Sequence, residues 1–267
     1  MNRTGIGWTK LSWNCFSGCQ KVSPGCTHCY AETLAENKRG SKAFPNGFDL
    51  TYRWHKLEEP MKIKEPSMIF VNSMSDLYFE EVPFAAIDRV YAVMALAPWH
   101  TYQILTKRSK RQLEYLTDPE TPKRIARVMD EMRGQIGNKI MWPLHCVWQG
   151  VSVENANYLW RIDDLRKAPA FVRFISFEPL LGAIPDPDLS GIQWAIVGGE
   201  SGPGYRHMQE QWARSLRDSC VRQGVAFFMK QNSDYRPELR PWLIEEDGSQ
   251  WQWHQFPHDM SAPVRLP

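Results

Sequence analysis

Short apolar runs alternate with stretches of helical periodicity along most of the chain. Each run holds four to eight residues, is rich in apolar and β-branched side chains, and ends in polar residues. This pattern is typical of buried parallel strands. The runs are residues 68–72, 101–105, 146–153, 171–177, 194–197 and 225–229.

The segments between these runs carry the period of an amphipathic helix. In residues 83–96, apolar side chains fall at positions 84, 87, 90, 91 and 94, and a proline occupies the first turn. Residues 123–133, 155–167 and 209–223 are the other candidate helices. Alternation of strand and helix predicts a parallel sheet with right-handed crossovers.

The number of repeating units favours a barrel within the α/β class. If the segment before Cys19 is a first strand, the chain holds about six or seven βα units. We therefore expect a complete or partial TIM-like (β/α) barrel rather than an open doubly wound sheet. Residues 1–231 would form the barrel, and residues 232–267 would form a C-terminal extension packed on it.

Composition limits the partners that the chain as a whole could attract. The net charge is only +2, so no overall field demands a polyanion. The first thirty residues lack the apolar core of a secretory signal. No apolar run reaches the roughly 20 residues of a membrane span. The expectation is a cytoplasmic protein that does not enter a membrane.

The six cysteines are distributed unevenly. Four of them fall between Cys15 and Cys29, whereas Cys146 and Cys220 stand alone and are predicted to be buried apolar thiols. In a chain of this length without an export signal, such crowding indicates metal binding rather than disulfides.

The spacing of the clustered cysteines leaves two kinds of metal site open. Cys19, Cys26 and Cys29 form a C-x6-C-x2-C arrangement with turn-forming residues in the first gap. Three thiolates can hold an iron-sulfur cluster and leave one iron free to chelate a small molecule. With Cys15 added, four thiolates are adequate for tetrahedral zinc. Spacing alone does not separate the two.

Seven ordered segments resemble a phage-associated family of radical S-adenosylmethionine (SAM)-like proteins. The resemblance runs from about Gly7 to Gln231. Its segments are WNCFSGCQKVSPGCTHCYAE, VNSMSDLYFEEVP, ILTKRSKR, GVSVEN, FISFEPLLG, IVGGESGPG and FFMKQ. The Cys-x-x-Cys-Tyr ending is also similar to the cluster loop of spore photoproduct lyase, a DNA repair enzyme.

The resemblance implies a 4Fe-4S cluster held by Cys19, Cys26 and Cys29. Radical SAM enzymes usually carry C-x3-C-x2-C, and Cys15 with Cys19 would supply that first spacing, so Cys15 remains the alternative to Cys19. SAM would bind the open iron, and one electron from a donor such as flavodoxin or ferredoxin would cleave it. The resulting 5′-deoxyadenosyl radical would abstract hydrogen from a substrate.

Polar residues at the predicted strand ends are the candidate contacts for SAM. Serine hydroxyls and carboxylates can bind its amino group or ribose, Lys107 can pair with its carboxylate, and paired glycines allow close backbone approach. Helix capping by Asp76 and a solvated Lys107 are the alternative interpretations. The candidates are Ser73, Asp76, Lys107, Ser152, Glu154, Ser176, Glu178, Gly198, Gly199 and Glu200.

Two functional hypotheses remain at this stage. The first is a radical SAM enzyme that modifies or repairs a base of DNA or RNA, suggested by the repair-enzyme resemblance and by the basic residues between Lys107 and Arg111. The second is a non-catalytic zinc or iron-sulfur module that recognises nucleic acid or a protein partner. No residue is assigned a catalytic role from the sequence.

Overall fold

The computed structural model describes residues 1–134, 136–236 and 241–266. The chain divides into two compact units. The first holds Met1–Lys21, Cys29–Gln149 and Lys167–Phe171, and the second holds Val22–His28, Gly150–Arg166 and Val172–Pro267. Of the predicted C-terminal extension, residues 237–240 and 267 lie outside the described residues.

From residue 68 to residue 231 most strands are followed by a helix, although the strand Val172–Phe177 is followed directly by the strand Trp194–Gly198 among the described helices and strands. The strands are β1 (Asn2–Arg3), β2 (Leu11–Trp13), β3 (Phe16–Ser17), β4 (Thr51–Tyr52), β5 (Met68–Val71), β6 (Thr101–Thr106), β7 (Val147–Ser152), β8 (Val172–Phe177), β9 (Trp194–Gly198), β10 (Ala226–Gln231), β11 (Leu243–Ile244), β12 (Gln250–Gln252) and β13 (Val264–Arg265). The helices are α1 (Tyr30–Glu36), α2 (Glu59–Lys62), α3 (Phe84–Leu96), α4 (Ser109–Thr117), α5 (Thr121–Arg133), α6 (Trp160–Lys167) and α7 (Glu210–Gln223).

The first unit is built on parallel strands in the order β1-β2-β5-β6-β7. Only β1 runs antiparallel to its neighbour among the pairs described there, and Ile69 of β5 faces both Leu11 of β2 and Tyr102 of β6. Strands β2, β5, β6 and β7 are largely buried, as expected for a sheet covered by helices, whereas β1 is exposed. Helix α3 turns an apolar face to the core and packs against α5. A separate antiparallel ribbon pairs β3 with β4.

The second unit continues the same plan in the order β7-β8-β9-β10. Strands β8, β9 and β10 are parallel, and α7 packs on β9 and β10. Strand β7 contributes to both units because the boundary falls between Gln149 and Gly150. The C-terminal strands β11, β12 and β13 form a small antiparallel sheet, and Trp253 and Gln255 after β12 hydrogen-bond to the backbone of β10.

The α/β class predicted from the sequence is confirmed. All six predicted strands are present within one or two residues, and β2 is the first strand expected before Cys19. The four predicted helices correspond to α3, α5, α6 and α7, with a 3-10 turn at Ala156–Tyr158 before α6. No helix among the described residues combines the length and apolar character needed to cross a membrane.

Candidate functional site

In the first unit, the β3–β4 ribbon positions Cys19. Gly18 follows β3 with φ of 95°, a left-handed conformation that favours glycine. A Cβ there would lie 2.5 Å from the backbone of Asp49, so no side chain fits. The Gly18 N–H donates to the carbonyl of Met74 at 3.0 Å. These contacts fix the backbone immediately before the partly exposed Cys19 thiol.

Arg108 is the cation beside this thiol. Its Nη1 lies 3.3 Å from Cys19 Sγ and 3.2 Å from the Asp76 carboxylate, and its Nε donates to Glu80 at 2.5 Å. Burial alone would lower the pKa of Arg108, but the charges of Asp76, Cys19 and Glu80 raise it. The guanidinium therefore stays charged and favours a thiolate at Cys19.

Asp76 joins the ends of two neighbouring strands. It accepts hydrogen bonds from Thr106 Oγ1 at 2.7 Å, from the Lys107 N–H at 3.1 Å and from the Tyr78 N–H at 3.0 Å. Its carboxylate is thus engaged by the protein. The alternative interpretation of Asp76 as a helix cap is wrong, because α3 begins at Phe84 with Pro83 at its N-cap and Asp76 instead binds the backbone of a preceding turn. Asp76 and Lys107 lie together, with the contact made by the Lys107 backbone.

Ser73 and Cys29 lie at another part of the first unit. The Ser73 hydroxyl donates to Asn14 Oδ1 at 3.2 Å, and its carbonyl accepts from the Tyr30 hydroxyl at 2.6 Å. Cys29 directly precedes α1, and its thiol is free and partly exposed. The Tyr30 contact therefore ties the start of α1 to the segment that carries Ser73.

Cys15 differs from the other clustered cysteines in its surroundings. Its side chain is fully buried, and its N–H donates to Asn72 Oδ1 at 3.1 Å. Burial raises the pKa of the Cys15 thiol well above its usual value, with Glu59 adding to the effect. A thiol held in its neutral form in the core is a poor metal ligand.

In the second unit, Glu154 packs against the segment Ser23–His28, which contains Cys26 and is called the cysteine loop. Its carboxylate accepts from Ser23 Oγ at 2.5 Å and from Arg161 Nη1 at 2.9 Å, and both charged side chains are essentially inaccessible to solvent. Arg161 also donates to the carbonyl of Ser152 at 2.8 Å. A Cβ on Gly25 would lie 2.6 Å from Glu154 Cγ. The loop backbone therefore rests directly on this carboxylate.

Glu200 holds the other end of the same loop. It accepts from Arg206 Nε at 2.9 Å and lies 3.0 Å from His28 Nδ1. Arg206 Nη2 in turn donates to the carbonyl of Pro24 at 2.9 Å. Burial alone would raise the pKa of Glu200, but hydrogen bonds from Arg206 and His28 lower it to about 2.

Glu178 forms a third carboxylate centre at the strand ends. It pairs with Lys230 Nζ at 2.9 Å and accepts from Ser176 Oγ at 3.0 Å, and both members of the ion pair remain partly accessible. A Cβ on Gly198 would lie 2.5 Å from Glu178 Oε1. Gly199 exchanges backbone and side-chain hydrogen bonds with Gln231. The carboxyl edge of β8, β9 and β10 thus presents one accessible charged pair.

The cysteines differ in their suitability as cluster ligands. Cys19, Cys26 and Cys29 form no disulfide and are partly exposed, and their soft donors suit iron-sulfur chemistry. Cys146 and Cys220 are buried as predicted, and burial raises their pKa values to about 11 and about 12. Within the described ranges, no three His, Cys, Asp or Glu side chains converge as a group able to hold a metal ion.

Sequence reasoning identified the strand-end carboxylates but not their partners. The three arginines that neutralise or neighbour them are Arg108, Arg161 and Arg206. Since an unpaired buried carboxylate is costly, a nearby cation was to be expected for each. The arginine six or seven residues beyond Glu154 and Glu200 was the available signal.

The family model for DUF5131, described as a protein of unknown function, matches residues 3–257. Because that match spans nearly the whole chain, the protein belongs to this family. No curated protein and no solved structure matches the chain.

Proposed function

We propose that the protein is a radical SAM enzyme whose 4Fe-4S cluster is held by Cys19, Cys26 and Cys29. The observation that carries the proposal is the division of the cysteines into two groups. The three that match the family resemblance are partly exposed, whereas the other three are buried. Three accessible thiols within residues 19–29 would leave one iron for SAM, and the fully buried Cys15 is disfavoured as a fourth ligand.

Residues within each unit have the chemistry that such a centre needs. Arg108 keeps a positive charge beside Cys19 Sγ, which stabilises a thiolate ligand and the negative charge of a reduced cluster. Lys230 and Glu178 provide a cation and an anion at the carboxyl edge of the strands, where α/β proteins bind ligands. They can pair with the carboxylate and amino groups of SAM, with Gly198 and Gly199 allowing close approach.

The bound cofactors would supply a 5′-deoxyadenosyl radical after one-electron reduction of SAM. The strands would act as a partial TIM-like barrel of the radical SAM type, positioning the substrate and excluding water. Flavodoxin or ferredoxin is the proposed class of electron donor, and the cytoplasm is the proposed compartment.

A base of DNA or RNA is the proposed substrate class. Tyr52 and Trp54 are stacked with ring centroids 5.2 Å apart, each is 37% exposed, and the Arg89 guanidinium lies 5.3 Å from the Trp54 ring centroid. Such an exposed aromatic pair beside a cation can stack a nucleic-acid base. Tyr52 lies on β4, which pairs with the β3 strand that leads into Cys19. Tyr52 of the stack therefore lies on the ribbon that leads into Cys19, the proposed cluster ligand.

The basic residues between Lys107 and Arg111 support the nucleic-acid proposal less than the aromatic pair does. The Arg108 guanidinium is bound by carboxylates, and the Arg111 guanidinium donates to the carbonyls of Phe79 and Val82. The aromatic pair therefore carries the nucleic-acid proposal.

The direct test is SAM cleavage by anaerobically reconstituted, dithionite-reduced protein. We expect formation of 5′-deoxyadenosine and methionine by the wild type and loss of both in Cys26→Ala. Cys220→Ala, which alters a buried thiol, should retain cleavage. Absence of cleavage in an iron-loaded wild-type protein would reject the radical SAM assignment. Purification with zinc alone would favour the non-catalytic metal module instead.

A further inference from the structure

Two buried carboxylates hold the segment Ser23–His28 from opposite ends. At the start of the segment, the Ser23 hydroxyl donates to Glu154 at 2.5 Å. At its end, His28 Nδ1 lies 3.0 Å from Glu200. Between them, the carbonyl of Pro24 accepts from Arg206, which is itself paired with Glu200. A six-residue loop thus has three side-chain attachments to the body of its own unit.

The first attachment is rigid because of its burial. Glu154 and Arg161 form an ion pair with side-chain exposures of 0% and 1%. The Arg161 guanidinium also lies 4.3 Å from the Tyr158 ring centroid and is bound to the Ser152 carbonyl. A charge buried in this way has few alternative positions. Ser23 therefore binds a fixed acceptor rather than a mobile surface carboxylate.

The cysteine loop packs tightly against the Glu154 side chain. Gly25 has no left-handed backbone requirement, yet a Cβ there would lie 2.6 Å from both Cγ and Oε1 of Glu154. The 3-10 turn Pro24–Cys26 is closed by the Cys26 N–H donating to the Ser23 carbonyl at 2.9 Å. Ser23 Oγ lies 3.8 Å from Cys26 Sγ. The same hydroxyl thus links the Glu154 support to the thiol.

We propose that Glu154 and Glu200 are positioning residues that preset the cysteine loop, so that the Cys26 thiol is held ready before metal binds. Glu154 acts through Ser23, whereas Glu200 acts through Arg206 and His28. Each carboxylate is already bound by these partners. This inference rests on the proposed function in one respect: the segment is taken to be a cluster loop. Of the three strand-end glutamates, Glu178 is the one left to face the cofactor, since its ion pair with Lys230 remains partly accessible.

Hydrogen exchange of the metal-free protein tests the positioning role without any cofactor. In Ser23→Ala and Gly25→Ala we expect the backbone amides of residues 22–28 to exchange about tenfold faster, which corresponds to about 1.4 kcal/mol. Ser23→Thr keeps the hydroxyl and should restore slow exchange. Gly5→Ala is the matched glycine control, since a Cβ at Gly5 meets no atom within 4 Å.

The glutamates themselves are tested by Glu154→Gln and Glu200→Gln, with the exposed Glu131→Gln as control. Each site variant should accelerate exchange in residues 22–28, and reconstituted samples should hold less iron and show an altered electron paramagnetic resonance spectrum. Far-ultraviolet circular dichroism identifies any variant that has failed to fold, and Ser23→Ala then serves in its place.

The outcomes separate this inference from the proposed function. Unchanged loop exchange in Ser23→Ala and Gly25→Ala overturns the positioning role, whatever the iron content. Faster exchange in both variants supports it, even if the wild-type protein takes up no iron. In that case the radical SAM assignment falls and the positioning of the loop stands.

Discussion

The Arg108 guanidinium lies 3.3 Å from Cys19 Sγ and is held there by the carboxylates of Asp76 and Glu80. Arg108 and Asp76 are both buried, so each depends on the other for neutralisation. The arrangement couples the proposed cluster ligand Cys19 to the polar ends of β5 and β6. It gives Arg108 an electrostatic role at the thiol and a structural role in the first unit.

Replacing Arg108 by glutamine should affect both roles. We expect slower alkylation of Cys19 by iodoacetamide, because the thiolate is the reactive form and loses its neighbouring cation. The free energy of unfolding should fall by about 3 kcal/mol, since the buried Asp76 carboxylate loses the Arg108 cation that neutralises it. Mass spectrometry of the modified cysteines and urea denaturation measure the two effects.

The control is Arg127→Gln, which removes an exposed arginine from α5. It should change neither Cys19 alkylation nor stability by more than about 0.5 kcal/mol. Equal alkylation rates in Arg108→Gln and wild type would show that the guanidinium does not activate the thiol.

Cys15 and Cys19 should respond oppositely to substitution by alanine. Cys15 is buried and held as a neutral thiol, so Cys15→Ala should retain the cluster and lose only about 1 kcal/mol of stability. Cys19→Ala should abolish iron binding. Iron and sulfide content after anaerobic reconstitution provides the measurement. Loss of iron in Cys15→Ala together with retention in Cys19→Ala would assign the ligand to Cys15.

Glu200 should make part of the stability dependent on acid pH. Its pKa is lowered to about 2, mainly because Arg206 and His28 outweigh the opposing effect of burial. The carboxylate therefore stabilises the fold above its unfolded pKa of about 4.3, and this contribution is lost as the pH falls towards 2.

The comparison of wild type with Glu200→Gln isolates this contribution. The wild type should be more stable by about 2 kcal/mol at pH 7, after allowance for solvent screening, and the difference should shrink steadily below pH 4.3. Chemical denaturation at a series of pH values gives the two curves. A difference that stays constant from pH 7 to pH 3 would contradict the assigned cause.

The Tyr52–Trp54 stack should contribute to binding of single-stranded nucleic acid. Loss of one stacked base costs about 1–3 kcal/mol, so Trp54→Ala should weaken binding of a labelled oligothymidine by about tenfold or more. Trp54→Phe keeps a stacking face and should lose less. Phe171→Ala is the control, because it removes another exposed aromatic ring: Phe171 is 52% exposed and lies directly before β8. Fluorescence anisotropy measures the affinities.

This assay needs no cluster, so it tests the substrate class separately from the chemistry. Equal affinity of wild type and Trp54→Ala would remove the aromatic pair from the argument and leave the radical SAM proposal without a nucleic-acid surface.

The sequence predicted the repeating core well. The runs beginning at Met68 and Thr101 became β5 and β6, because a strand buried on both faces is apolar throughout and needs no tertiary information to recognise. The helix α4 was missed. Its sequence SKRQLEYLT is mostly polar, and only tertiary contacts such as buried Gln112 and Tyr115 reveal its inner face.

The candidate site was predicted in its residue types more than in its contacts. Glu154 and Glu200 were expected to face a ligand, whereas the structure brings Ser23 to Glu154 and His28 to Glu200 from distant positions in the chain. Contacts between residues 131 positions apart cannot be deduced from local spacing. The Tyr52–Trp54 pair was also missed, since two-residue strands such as β4 have too few positions to display a period.

The most direct test of the central claim is the electron paramagnetic resonance spectrum of the dithionite-reduced protein before and after addition of SAM. A cluster held by three cysteines should give a 4Fe-4S signal that changes on SAM addition, because SAM occupies the open iron. A spectrum unaltered by SAM, or a protein that contains zinc and gives no such signal, would contradict the account.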